Sequence, residues 1–268
     1  MSNRARRAGP LPCLVLLLLT RLLLPGNPAL AAPALLEDLH YRLEVLVWPD
    51  AARVRVTLKR LGPKRFAAEV IGEPRGFIKV LTGERRERLA TEMVWRHHRL
   101  LPLIYQEESR RQGKRYLKEY RFDYARGRLE MWQGQGRKAL VKRWQTDLPE
   151  PVYDPLTAFY NCRLGLLGPT RPGETATIPG IPYPRPETIE VRLGPETETG
   201  RQAMVSLVNP VFPDSRGVVF ASLDKGLVPH RAWTTVFGIT ITGRLLPESM
   251  VMPPTLPGLT APEPAVAR

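Results

Sequence analysis

The chain has 268 residues, a formal net charge of +14 and two cysteines. That length supports one large domain or two small ones, and two cysteines exclude a disulfide framework and any paired Cys/His zinc spacing. The sequence holds no H-E-x-x-H, no G-x-S-x-G nucleophile elbow and no glycine loop of the phosphate-cradling kind.

In chain order the first element is a leader. Arg4, Arg6 and Arg7 precede an apolar run from Leu11 to Leu24, then Pro25, Gly26 and Ala29-Leu30-Ala31. Positive, apolar, then A-x-A is the order of a signal peptide, with cleavage expected after Ala31. The run is about 14 residues, short of the roughly 20 that span a bilayer, and Arg21 interrupts it. A retained anchor is the alternative. Residues 1–31 are thus read as an export signal, the location as the periplasm, and the remainder as free of transmembrane segments. Cys13 lies in the leader, and Cys162, among Phe159, Tyr160 and Leu164, reads as a small buried hydrophobe.

Beyond the leader the charge is uneven. Residues 32–150 hold 26 basic and 16 acidic groups, and residues 151–268 hold ten of each. Such asymmetry suits anionic partners, here lipid phosphates or acidic glycans. The competing explanation is compositional, since arginines outnumber lysines 32 to 8.

Period-two alternation predicts strands through most of the chain. Leu39 to Trp48 alternates about Tyr41, Leu43, Val45 and Val47. A turn is expected at Pro49-Asp50, and a partner strand through Val54, Val56 and Leu58. Phe66 to Ile71 follows. Phe77 to Ala90 is ambiguous, with a short helix allowed over Glu84 to Leu89. Thr91 to Arg99, Leu103 to Glu108, Tyr116 to Tyr124, Leu129 to Trp132 and Ala139 to Trp144 read as extended. One helix is predicted, Asp154 to Leu164, capped by Asp154 with Pro155 in its first turn. Five further strands are expected between Thr188 and Leu245, after one short strand at Thr175 to Ile178. The six prolines from Pro247 onward predict a disordered tail over 247–268. Residues 32–246 form one mainly β domain on this reading: a large curved antiparallel sheet, half-barrel or open barrel, with one central helix.

Candidate chemistry is sparse. His97 and His98 are adjacent on an expected strand and face opposite ways, so they share no metal site. Asp224, Lys225 and His230 are close in sequence, but Asp224-Lys225-Gly226 reads as a turn. Asp154, Asp224, His230 and Glu108 would have to converge in a cleft for acid–base catalysis. Aromatic and basic residues interleave in Tyr120-Arg121-Phe122, a pattern also seen on single-strand nucleic-acid platforms, but an exported chain argues against that partner.

Several pieces occur in a familiar order: "LLPLIYQEESRRQGKRYLKEYRFDYARGRLE", "YDPLTAFYNCRLG", "RPGETATIP" and "GVVFASLDKGLVPHRAWTTVFGITITGRL". Together they resemble an exported bacterial family catalogued as domain of unknown function 3108, over about residues 38–246. Asp154, Leu156, Ala158 and Tyr160 match its helix motif. Asp224, Pro229 and Gly243 match its final hairpin, with Phe220 where the family usually has tryptophan. The resemblance implies a periplasmic β-rich domain and carries over no functional residues.

The expectation is a non-enzymatic protein without cofactor or metal that binds a lipid or other hydrophobic envelope component. Trp95, Leu101, Tyr105, Phe159 and Tyr160 are the expected lining. The alternative is a cell-envelope scaffold that binds a protein or acidic glycan.

Overall fold

The computed structural model describes residues 32–136, 138–169, 171–181, 187–198, 200–206, 217–236, 238–253 and 255–256. The expected leader and the last part of the expected tail lie outside these residues. Among the described residues, alternating apolar and polar residues fold as fourteen strands. The first eight are β1 (Ala34–Val45), β2 (Trp48–Arg60), β3 (Arg65–Pro74), β4 (Arg86–Arg96), β5 (Arg99–Arg111), β6 (Lys114–Asp123), β7 (Arg128–Gln135) and β8 (Val141–Asp147). The others are β9 (Thr175–Gly180), β10 (Glu187–Thr197), β11 (Gly200–Ser206), β12 (Val218–Leu223), β13 (Pro229–Val236) and β14 (Ile239–Leu245). Among the described residues two helices accompany them, α1 (Gly76–Leu81) and α2 (Pro155–Arg163).

All neighbouring strands pair antiparallel in one sheet, ordered β8-β7-β6-β5-β4-β3-β2-β1-β14-β13-β12-β11-β10-β9. The sheet is two meanders, β1 to β8 and β9 to β14. The first and last strands join them, with Tyr41 opposite Leu245 and Val45 opposite Ile241. Its free edges, β8 and β9, are consecutive in the chain, and the connection between them carries α2. Just before α2, Tyr153 meets the β9 edge: its N–H donates to the Pro179 carbonyl at 2.8 Å, and its own carbonyl accepts from Ile181 at 3.1 Å. The sheet therefore curls into an open barrel whose edges approach without becoming a closed ladder.

The concave face holds α2. The Asp154 carboxylate accepts from the backbone N–H of Leu156 (2.9 Å) and Thr157 (3.0 Å), so the expected cap forms. The same carboxylate accepts from the Thr91 hydroxyl of β4 at 2.9 Å, tying the helix start to the sheet. Asn161 pairs with β5 through both backbone groups of Leu100, at 2.9 and 2.8 Å. At the far end Arg163 forms a buried ion pair with Glu37 of β1, and the Tyr160 hydroxyl donates to Glu37 at 3.1 Å. One face of α2 packs Leu156 and Tyr160 on Leu58, Phe66, Met93 and Leu100. Its other side sets Ala158 against Leu101, Ile178, Ile189 and Val191, bringing the two limbs of the sheet together across the helix.

Four local expectations are corrected. The first turn falls at Leu46-Val47, not Pro49-Asp50, because Val45 pairs with Trp48. Pro49 and Asp50 sit in a bulge where the register shifts between Leu43 and Val45, and a bulge tolerates proline within a strand. The helix after β3 is α1, whereas Glu87 to Leu89 belong to β4. His97 and His98 are not on a strand: they form the β4–β5 turn, both with left-handed backbone (φ 51° and 57°), a geometry that Asn-Gly ordinarily supplies. The tail is ordered at its start. Met250 pairs with Asp38 through backbone bonds of 2.9 and 2.8 Å, and Met252 and Leu256 are buried beside α2. The extended β1 offers a strand edge to this segment, which proline counting alone does not register.

Candidate functional site

An apolar groove of about 750 Å³ lies on the concave side, open to solvent. Its walls are the inward-facing residues of neighbouring strands: Leu43 and Val45 of β1, Val54 and Val56 of β2, Val70 and Gly72 of β3, Ala232 and Val236 of β13, and Ile241 of β14. Period-two alternation aligns these positions on one face. Leu156 and Phe159 of α2 form the floor. Gly243 lets β1 pack closely here: a Cβ at that position would stand 3.1 Å from Leu43 Cδ2.

The charged lining residues, Glu73, Arg85 and Glu87, gather at one rim, where Arg86 pairs with Glu73 at 3.0 Å and Arg85 pairs with Glu87; Thr82, Trp233 and Thr234 add neutral polar groups. The Tyr41 hydroxyl also borders the groove. Burial, reinforced by the nearby Glu37 charge, pushes it well above the ordinary phenol range, so it stays neutral. The groove is thus predominantly aliphatic, with charged side chains at one end only.

Of the five expected lining residues, only Phe159 borders the groove. Tyr160 is fully buried on Glu37, and Leu101 lies between α2 and β9–β10. Tyr105 is packed at 5.8 Å from Tyr120, in a separate cluster under β5–β7. Trp95 packs behind Phe66 and Met93. These four fill the barrel; they do not line its cavity. The residues that do line it belong to the alternating aliphatic runs of β1, β2 and β14, whose sequence pattern does not tell which space they surround.

The four residues considered for acid–base work are separate. Among the described residues no hydrogen bond joins any two of Asp154, Asp224, His230 and Glu108. Asp154 is occupied as a cap; burial raises its carboxyl, and its hydrogen bonds from Thr157, Thr91 and Leu156 oppose that rise. Asp224 closes a turn by accepting from Gly226 and Val228, each at 2.8 Å. Glu108 is held by Arg110 and Arg115 at 2.6 and 2.8 Å. Burial pushes the Cys162 thiol up to about 11, and Cys162 itself is half-buried. Among the described residues no group of His, Cys, Asp and Glu is arranged to hold a metal ion, and no helix is long and apolar enough to cross a membrane.

Many arginines of the first half pair with carboxylates on the convex face. Arg55 pairs with Asp38, Arg88 with Glu69, Arg121 with Glu119 and Lys142 with Glu130. Three of these pairs join adjacent strands and one lies within β6, and the 26 basic against 16 acidic groups of residues 32–150 still leave that half net positive.

Residues 38–232 match the family model described as Protein of unknown function (DUF3108). The chain belongs to that family. Of the positions that carry the DUF3108 resemblance, five have structural work: Asp154 caps α2, Leu156 and Ala158 pack its two sides, Tyr160 holds Glu37, and Asp224 closes the β12–β13 turn; Pro229 and Gly243 border the groove. Among solved structures the DUF3108 chain is similar to a beta-barrel-like protein of the domain of unknown function DUF1849 from Brucella abortus. The identity is 7% and the TM-score 0.46, covering 80% of this chain and 98% of that one. A duf1089 family protein from Pseudomonas aeruginosa matches at 11% identity and TM-score 0.35, covering 69% and 91%. No curated protein matches the sequence.

Proposed function

We propose that this protein is an exported, non-enzymatic carrier that binds an acyl chain, lipid or other hydrophobic component of the cell envelope in the apolar groove. The observation that carries the reading is the groove itself. At about 750 Å³ it lies in the range of small-molecule sites, its walls are aliphatic, and its charged groups are gathered at one rim, as an amphiphile requires. A space serving only as core would be filled by side chains, as it is around Tyr105 and Leu101. The leader-like residues 1–31 supply the export half of the reading.

Gly72 gives a clean test. A Cβ built there has no neighbour nearer than 4.0 Å, so Gly72→Phe projects into open groove. Native mass spectrometry with lipid extraction should find a co-purifying lipid, or uptake of added fatty acid or phospholipid, in the natural protein. Gly72→Phe should fold and lose that uptake. An apo mass that takes up neither on titration would overturn the carrier reading. A scaffold that binds a protein or acidic glycan would then lead.

A further inference from the structure

Several of the large hydrophobic side chains left exposed on this protein gather at one place. Leu46 and Val47 form the tip of the β1–β2 hairpin and are 67% and 82% exposed; Phe77 and Val80 of α1 are 56% and 73% exposed. These elements are adjacent: the Trp48 ring stacks on Phe77 at 6.2 Å, and Arg75 N–H donates to the Ala51 carbonyl at 2.8 Å. The β13–β14 turn lies at the same end, since Val45 pairs with both Trp48 and Ile241, and its Ile239 is also exposed. Val45, Ile78, Val236 and Ile241 line the groove, so this apolar rim surrounds its mouth.

We propose that the rim is a membrane-docking surface. Leu46 and Val47 from the hairpin tip and Phe77 and Val80 from α1 enter the interfacial region of an anionic lipid bilayer, facing the groove mouth toward the hydrocarbon. The biological purpose rests on the carrier reading; the surface geometry does not. Protruding aliphatic side chains beside a Trp–Phe stack suit the headgroup boundary, where aromatic rings with polar tips concentrate. At the rim itself charge is near balance: Arg53, Arg75, Lys79, Arg85 and Arg86 stand with Asp50, Glu73, Glu84 and Glu87. Apolar insertion must therefore hold the contact. The long-range attraction comes from the 26 basic against 16 acidic groups of residues 32–150, the part of the chain that supplies both the hairpin and α1. That excess selects an anionic bilayer over a neutral one.

The test is flotation with vesicles of phosphatidylcholine, with and without phosphatidylglycerol. The natural protein should float with the phosphatidylglycerol vesicles, and salt should weaken the association without abolishing it. Val47→Glu and Phe77→Glu replace exposed side chains, so they should fold; circular dichroism checks this. Each should weaken vesicle binding about tenfold or more. Leu35→Glu, at an exposed apolar position outside the rim, should bind as the natural protein does. If the natural protein fails to float, or both rim variants float as it does, the docking proposal is overturned. Acyl-probe uptake measured without vesicles separates the two readings. Uptake without flotation overturns docking and leaves the carrier, whereas flotation by a Gly72→Phe variant that takes up no probe supports docking alone. A dimer seen by light scattering and broken by Val47→Glu, with no flotation, would assign the rim to a second copy and overturn the membrane reading.

Discussion

At the scale of single residues the most exposed commitment of the fold is a charge removed from water. Glu37 is fully buried, and its partners are few: Arg163, the Tyr160 hydroxyl and the Met252 N–H at 3.0 Å. Arg163 also donates to the Met252 carbonyl at 2.9 Å, so one ion pair binds β1, α2 and the C-terminal segment. Removing one member strands the other in a low-dielectric interior. Arg163→Met should therefore lower the unfolding free energy by about 3–5 kcal/mol, measured by urea denaturation. The double change Glu37→Met with Arg163→Met should recover much of that loss, because no lone charge remains buried. A double variant as unstable as the single one would show that the hydrogen bonds, not the charge, dominate. Nothing in the sequence distinguishes Glu37 from the other strand glutamates. Its partner lies far along the chain and is reached only after the sheet has curled.

At the scale of elements, α2 was legible in outline and its surroundings were not. Asp154-Pro155 marks its start by chemistry that is local, and the cap is as expected. The additional Thr91 bond is tertiary and had no local signal. It makes Asp154 both cap and rivet, so Asp154→Ala should cost at least the roughly 1–2 kcal/mol of a lost cap, plus the orphaning of two buried hydroxyls. Asp154→Asn keeps an acceptor for the two backbone donors and, since burial already disfavours the charged form, should cost clearly less. Thermal unfolding of both variants checks the order, and equal losses would contradict it. The strands were readable because alternation is itself the cause of a half-buried sheet. The hairpin tip misled because Pro49-Asp50 is a good turn dipeptide, and a bulge absorbed it instead. The groove was missed for a related reason. Its walls are ordinary aliphatic positions of six strands, and only the pairing of β1 with β14 brings them round one space.

For the whole molecule, acid should be the weak side. The carboxyls of Asp38, Glu44, Asp50 and Glu130 lie below their ordinary values of 3.8 or 4.5, in each case chiefly through hydrogen bonds from an arginine or lysine on the same face. In the unfolded chain these groups take up protons first as pH falls. Their contribution is therefore whole above about 4.5 and is lost progressively below it. Urea midpoints should be flat through neutral pH and drop from about pH 4.5 downward. High salt should narrow the difference, since most of these pairs are near the surface. A midpoint unchanged down to pH 3 would mean that the convex-face lattice adds nothing to stability.

The seam between β1 and β14 also ties the fold to the direction of synthesis. β1 is made about 200 residues before its partner β14, and until Ile239 to Leu245 exist, one side of β1 has no ladder partner. Any chain that stops short of that point, through a premature stop codon or a nick, carries a long bare strand edge flanked by aliphatic residues. Such an edge is a template for pairing with another copy. Truncation before Ile239 should thus be felt as aggregation of the whole product, not as a slightly shorter barrel.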